Sequence, residues 1–160
     1  MMTAGGVLFR RLLVFAAVCL PVFALDRRVK SIIMTKPDDW QLDVNDYFTL
    51  VNARNDGIAF GLFAGGGQFG VWFFSAVALL LFATLVFCAA RSESAVERAA
   101  MALMAGGAIG NVYDRLRFGY VVDFADAHLG GYHWPAFNIA DAAISIGALL
   151  WITLLFWRGK

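Results

Sequence analysis

The chain has 160 residues, of which 61% are hydrophobic and only 16% charged, with a formal net charge of +1. Soluble domains carry about 25% charged residues, so this composition leaves too little polar surface to cover a water-soluble fold of this size. The near-neutral balance also lacks the basic footprint of a nucleic-acid-binding protein.

Charge-free stretches cover residues 12–25, 57–90, 99–113 and 142–157. A helix that crosses a bilayer needs about 20 mostly apolar residues. The first span is expected over about 7–25, with Arg10 and Arg11 reaching back to the headgroups. The stretch resembles a cleavable signal peptide, with Val22-Phe23-Ala24 as a loose cleavage site, but a retained span keeps both ends of the chain on one side. A polar segment, 26–67, follows and holds half of the acidic residues. Within it the β-formers Val44, Tyr47, Phe48, Thr49 and Val51, then the turn signal Asn55-Asp56-Gly57 before Ile58-Ala59-Phe60, predict a small β element against the bilayer.

Gly65-Gly66-Gly67 breaks the chain before a second span at about 68–90. The short loop 91–98 makes spans two and three antiparallel neighbours. Span three, about 99–113, is small-residue-rich and needs helices around it. A second non-helical segment, 114–136, contains the strand-like Tyr120-Val121-Val122-Asp123-Phe124, and span four runs about 137–157. The expected fold is therefore a single integral membrane domain, an all-α core of four transmembrane helices plus a small β element. Cys19 and Cys88 lie inside apolar stretches and read as inert packing residues. Arg10, Arg11, Arg91, Arg98, Arg158 and Lys160 would lie on one side of the membrane. Arg27, Arg28, Lys30, Lys36, Arg54, Arg115 and Arg117 would lie on the other. Raw count does not orient the chain, but the short loops on the first side favour termini inside.

Ionisable residues at membrane depth are functional candidates because each costs about 2.5–3.5 kcal/mol to insert. Asp141 sits among apolar and small neighbours in span four. It could close a capping box with Asn138 at the helix start, or it could do chemistry. Asp123 is an acid in an apolar β-like run, and its loop can fold back over Asp141. Two carboxylates held together at a dry membrane edge cannot easily both ionise, which supplies one general base and one general acid. Asn111, Asp114 and Arg115 share one face of the third span. They form either a polar end-cap with an Asp114–Arg115 ion pair or a shell that supports the carboxylates. Gly106 and Gly110 have the spacing of close helix packing. His128 and His133 show no metalloprotease pattern and are expected in loop or interface roles.

In order, Gly110-Asn111-Val112-Tyr113-Asp114-Arg115, Val121-Val122-Asp123-Phe124 and Phe137-Asn138-Ile139-Ala140-Asp141 resemble the signature of lipoprotein signal peptidases (signal peptidase II). Asn55-Asp56-Gly57-Ile58-Ala59-Phe60 is similar to that family's Asn-x-Gly-x-Ala-Phe segment, and Asp26 to the acid ending its first span. The resemblance covers nearly the whole chain. It implies four membrane helices, a periplasmic β-cradle, and an aspartyl endopeptidase that cuts prolipoproteins before a diacylglyceryl-modified lipobox Cys. It also implies residence in the bacterial inner membrane, with both termini cytoplasmic and the active site near the periplasmic face. By the same resemblance Asp123 and Asp141 are catalytic, and Asn55, Gly57, Asn111, Asp114, Arg115, Asn138 and Ala140 support the site. The implied partners are the lipid-modified signal peptide and membrane lipid, with no metal, organic cofactor or obligate protein partner. The sequence departs from the pattern at Asp56 and in the Gly-containing loop 125–132. The rival readings are a cation or proton transporter subunit that uses the same aspartates, and an assembly factor whose polar cluster only pins helices.

Overall fold

In the computed structural model, residues 3–57 and 67–158 are described. They form four helices, α1 (Ala4–Ile33), α2 (Gly67–Arg91), α3 (Ala95–Phe118) and α4 (Ile139–Arg158). Four strands accompany them, β1 (Gln41–Asn45), β2 (Phe48–Asn55), β3 (Val121–Leu129) and β4 (Tyr132–His133). The chain is mostly helical with one small antiparallel sheet.

The helices outrun the apolar stretches that announce them. α1 continues through Ile33 because Asp26 and Lys30, four apart on its surface, pair at 2.9 Å and extend the helix into what reads as a polar segment. Ser94 caps α3 by accepting from the Glu97 amide, and Gly119, at φ 85°, ends it in the left-handed conformation.

Among the described residues, three helices, α1, α2 and α4, are long and apolar enough to cross a membrane by length and composition. The expected count of four is not reached. α3 carries Glu97 and Arg98 near one end and Asp114, Arg115 and Arg117 near the other, and Ala and Gly fill much of its middle. Those small residues make α3 the helix against which α1, α2 and α4 all pack. A Cβ on Gly106 would lie 2.7 Å from the Cys19 carbonyl oxygen, and one on Gly107 would run into the Ala140 carbonyl. In return Gly147 of α4 leaves room for the Ala100 carbonyl. Close backbone approach, rather than bulky side-chain interdigitation, is how these helices meet. Large apolar side chains such as Phe9, Leu80 and Leu149 point outward instead. Cys19 is buried, Cys88 is half-buried, and both are free.

The sheet has the order β1-β2-β3-β4, all antiparallel. β1 turns into β2 at Asp46-Tyr47, where the Asn45 side chain accepts from the Tyr47 amide. β3 is longer than its sequence signal and turns into β4 through Gly130-Gly131, both at positive φ. A small core of Ile33, Val122, Phe124 and Ala125 joins the sheet to the end of α1. The expected continuation at Ile58-Ala59-Phe60 and the break at Gly65-Gly66 lie outside the described residues. Phe137 closes the arrangement: its carbonyl accepts from the Phe124 and Ala125 amides, and its amide donates to the Ala125 carbonyl. That latch fixes the start of α4 against β3.

Candidate active site

Asp123 sits at the centre of the buried half of β3, residues 121–125, and α4 begins two residues after the Phe137 latch, so both aspartates line one groove. Asp123 is 2% exposed. Its Oδ2 accepts from Asn55 Nδ2 at 2.9 Å and its Oδ1 from Asn138 Nδ2 at 2.6 Å. The Asp141 carboxylate accepts from Asn111 Nδ2 at 2.8 Å and from the Asn138 amide at 3.3 Å. The Asp141 amide in turn donates to Asn138 Oδ1 at 2.9 Å. This reciprocal pair is a capping box. The capping alternative for Asp141 is thus realised, and the carboxylate still faces the groove beside Asp123. Asn138 belongs to both halves, since one face of its amide caps Asp141 and the other holds Asp123.

The orientation of the two asparagines follows from their neighbours. Lys30 has only donors, so the Asn111 atom it meets at 3.0 Å is the oxygen, which turns Nδ2 toward Asp141. The Asp141 amide likewise requires the Asn138 oxygen and leaves its NH₂ for Asp123.

Lys30 was not singled out by the sequence, yet it anchors this arrangement. It is fully buried, and its ammonium meets Asp26 at 2.9 Å, Asp114 at 2.8 Å and Asn111 at 3.0 Å, three partners for three protons. Arg27, also missed, pairs with the other oxygen of Asp114 and lies 4.5 Å from the Tyr113 ring centre. The available signal was an Asp-Arg-x-x-Lys run directly past an apolar helix. Asp26 also accepts from the Ala140 amide at 3.0 Å, and Asp114 from the Val122 amide at 3.3 Å, so the network grips the residues beside both aspartates.

The alternative Asp114–Arg115 ion pair is corrected by these contacts. Asp114 turns inward to α1, whereas Arg115 donates to the Gly57 carbonyl at 3.1 Å and lines the groove. Gly57 is held from its other side, its amide donating to Asn55 Oδ1 at 3.0 Å. Arg115 therefore ties the Asn55-Asp56-Gly57 turn to α3. Ala140 is fully buried, and a Cβ on Gly110 of α3 would lie 3.5 Å from its methyl group.

The groove encloses about 930 Å³. Asn55, Arg115, Asp123 and Asp141 form a polar end, while Phe74, Val77 and Leu81 of α2 and Ile144 and Ile146 of α4 extend it as an apolar channel. Burial, then the nearby Asp141 charge, raise the Asp123 pKa to about 7, against the opposing hydrogen bonds from Asn55 and Asn138 and the Lys30 charge. A carboxyl that titrates near neutrality beside a second carboxyl can hold a proton while its partner accepts one.

Comparison with known proteins gives a consistent answer. A family model described as signal peptidase (SPase) II matches residues 18–157. The chain is 39% identical over 140 residues to the lipoprotein signal peptidase of Alteromonas mediterranea, covering 86% of this chain and 77% of that one. It is 36% identical over 149 residues to that of Sphingopyxis alaskensis, covering 92% and 86%. With the lipoprotein signal peptidase of Ralstonia nicotianae the identity is 47% over 110 residues, covering 68% and 64%. Among solved structures, a bacterial membrane enzyme determined by the in meso method at 2.3 Å resolution superposes with a TM-score of 0.82 at 29% identity, covering 91% of this chain and 89% of the other. The match extends along most of its length and includes the segments that build the groove, so the chain belongs to the signal peptidase II family of aspartic endopeptidases.

Proposed function

We propose that the protein removes signal peptides from diacylglyceryl-modified prolipoproteins, cutting before the lipidated Cys, with Asp123 and Asp141 as the catalytic pair. The observation that carries this reading is Asn138, which caps Asp141 and binds Asp123 at the polar end of a groove that is otherwise apolar. A lipidated precursor has matching character, with a peptide bond to be cut beside acyl chains that favour a dry channel. The relatives are peptidases, and family membership replaces the cation-relay alternative.

In the proposed reaction Asp123 holds a proton and donates it in a hydrogen bond to the scissile carbonyl oxygen, in keeping with its raised pKa. Asp141 takes a proton from water as the water oxygen attacks the carbonyl carbon. The C–N bond then breaks, and the proton on Asp141 passes to the departing amine nitrogen. Asn55 and Asn111 hold the carboxylates in place, and Arg115 with Gly57 shapes the wall that the peptide backbone passes. The same proposal includes Asp114, whose pairing with Lys30 supports Asn111 indirectly.

The reading also includes four membrane crossings and a location in the bacterial inner membrane, with both termini cytoplasmic and the groove at the periplasmic face. Chain parity supports the fourth crossing. β2 follows α1 and β3 follows α3, and the two strands pair. If α1 and α2 cross, α3 must also cross for β3 to return to β2.

The test is cleavage of a diacylglyceryl-modified precursor by purified protein in detergent, beside the unlipidated form. Asp123→Asn and Asp141→Asn are each expected to lose cleavage while remaining folded and able to bind the precursor. Wild-type turnover in either variant would overturn the catalytic assignment, and equal cleavage of the unlipidated form would overturn the substrate class.

A further inference from the structure

The β3–β4 hairpin, apart from the aspartates, carries the chain's only two histidines. His128 and His133 are cross-strand partners, one pair back from the Gly130-Gly131 turn. The Trp134 amide bonds to the Ala127 carbonyl, and the His128 amide points away to the Tyr47 carbonyl on the opposite side. The histidines therefore form a non-hydrogen-bonded pair, the position in an antiparallel ladder where facing side chains come closest. Their ring centres are 4.9 Å apart.

Hydrogen-bond partners set the tautomer of each ring. Thr49 Oγ1 donates its single proton to Asp43 at 2.8 Å, so at 3.1 Å from His128 Nε2 it can only accept. His128 then carries its proton on Nε2 and leaves Nδ1 with a free lone pair. Asp126 is an acceptor and touches His133 Nδ1 at 2.8 Å, so that nitrogen carries the proton and Nε2 is left free. Each imidazole thus has one nitrogen occupied by a carboxylate, directly or through a hydroxyl, and one unprotonated nitrogen. This is how metal-ligating histidines are held, with an outer carboxylate fixing the tautomer and raising ligand basicity. Two imidazoles on one tetrahedral ion, with N–metal bonds of about 2.0–2.1 Å, have ring centres about 5 Å apart.

We infer that His128 and His133 form a two-histidine site for a divalent first-row transition ion such as Zn²⁺ or Cu²⁺, with Asp126 and Thr49 as orienting partners. Among the described residues no group of three or more His, Cys, Asp or Glu side chains is set to hold a metal. Solvent ligands therefore complete the coordination, reaching the ion past His133, whose side chain is 59% exposed. Imidazole ligands suit Zn²⁺, Cu²⁺ and Ni²⁺ rather than Mg²⁺ or Ca²⁺. The ion would bridge β3 to the two-residue β4 and stiffen the segment that leads through Trp134, Pro135 and Ala136 along the groove. It takes no part in the aspartate chemistry, and the inference does not depend on the catalytic assignment.

The experiment uses tag-free, chelator-treated full-length protein in detergent, titrated calorimetrically with ZnCl₂, CuSO₄ and MgCl₂. The expected result is one Zn²⁺ per chain, tighter binding of Cu²⁺ than Zn²⁺, and no uptake of Mg²⁺. His133→Ala, at an exposed position, is expected to weaken Zn²⁺ binding at least tenfold without changing the melting temperature of the metal-free protein. Asp126→Asn is expected to weaken it by about 10–100-fold, as outer-shell partners do. Absence of saturable Zn²⁺ uptake by the wild type, or undiminished binding in His133→Ala, would overturn the site.

Discussion

At the residue scale, Asp123 joins structure to a measurable pH dependence. Its pKa of about 7 means that the protonated form is held below neutrality and lost as pH rises through 7. If the protonated form is the active one, kcat/KM for a lipidated precursor falls on the alkaline side with a midpoint near 7. Asn55 donates to the ionised form and so lowers that pKa. Asn55→Ala is expected to move the alkaline limb upward, by about 1–2 pH units if a charged hydrogen bond is worth about 1.5–3 kcal/mol. A limb that stays in place or moves down would separate Asp123 from the rate. Lys30 allows a second test. Lys30→Met leaves the buried Asp26 without its cation and strips Asn111 of its orienting donor, which predicts a loss of about 3–5 kcal/mol in unfolding measured in micelles. Asp123 and Asp141 were legible in the sequence because an acid in an apolar run is conspicuous. Lys30 was not, because what neutralises it comes from two helices, and spacing along α1 shows only the Asp26 half.

At the element scale, the apolar runs announced the helices, but their ends were hidden. α1 and α3 extend beyond their charge-free stretches because Asp26 with Lys30 and Ser94 with Glu97 satisfy the polar groups locally. The glycines of α3 were legible as packing residues, though not which neighbour each admits. Gly107 admits the Ala140 carbonyl next to Asp141, so Gly107→Ala must push α4 away from α3. Such overpacking costs about 1–3 kcal/mol. Because the displaced residue adjoins the site, cleavage should fall together with stability. Gly70→Ala is the control: among the described residues its Cβ would meet only Phe74, at an ordinary 3.8 Å, and a helical Gly-to-Ala change stabilises by about 0.5–1 kcal/mol. Thermal unfolding of the two variants should therefore shift in opposite directions. A shift of the same sign would show that backbone approach does not govern α3–α4 packing.

At the scale of the whole molecule, the proposed fourth crossing is one that hydropathy does not mark. Composition marks three helices, because a span is recognised by its apolar surface. α3 does not need that surface. Its middle is buried by α1, α2 and α4, and its charges lie near its ends. At about 1.5 Å per residue its 24 residues extend roughly 36 Å, enough for a hydrocarbon core of about 30 Å. The sheet then imposes parity. β1 and β2 lie beyond α1, β3 and β4 lie beyond α3, and the β2–β3 ladder requires all four strands on one side. Single cysteines introduced into a chain cleared of Cys19 and Cys88 test this directly. Asp46→Cys, at the β1–β2 turn, and Leu129→Cys, at the exposed tip of β3, are expected to react with a membrane-impermeant maleimide in intact spheroplasts. Glu93→Cys, exposed in the short loop between α2 and α3, should react only after lysis. If Leu129→Cys instead follows Glu93→Cys, α3 does not cross, and the β2–β3 pairing that brings Asp123 to Asn55 cannot form in the membrane.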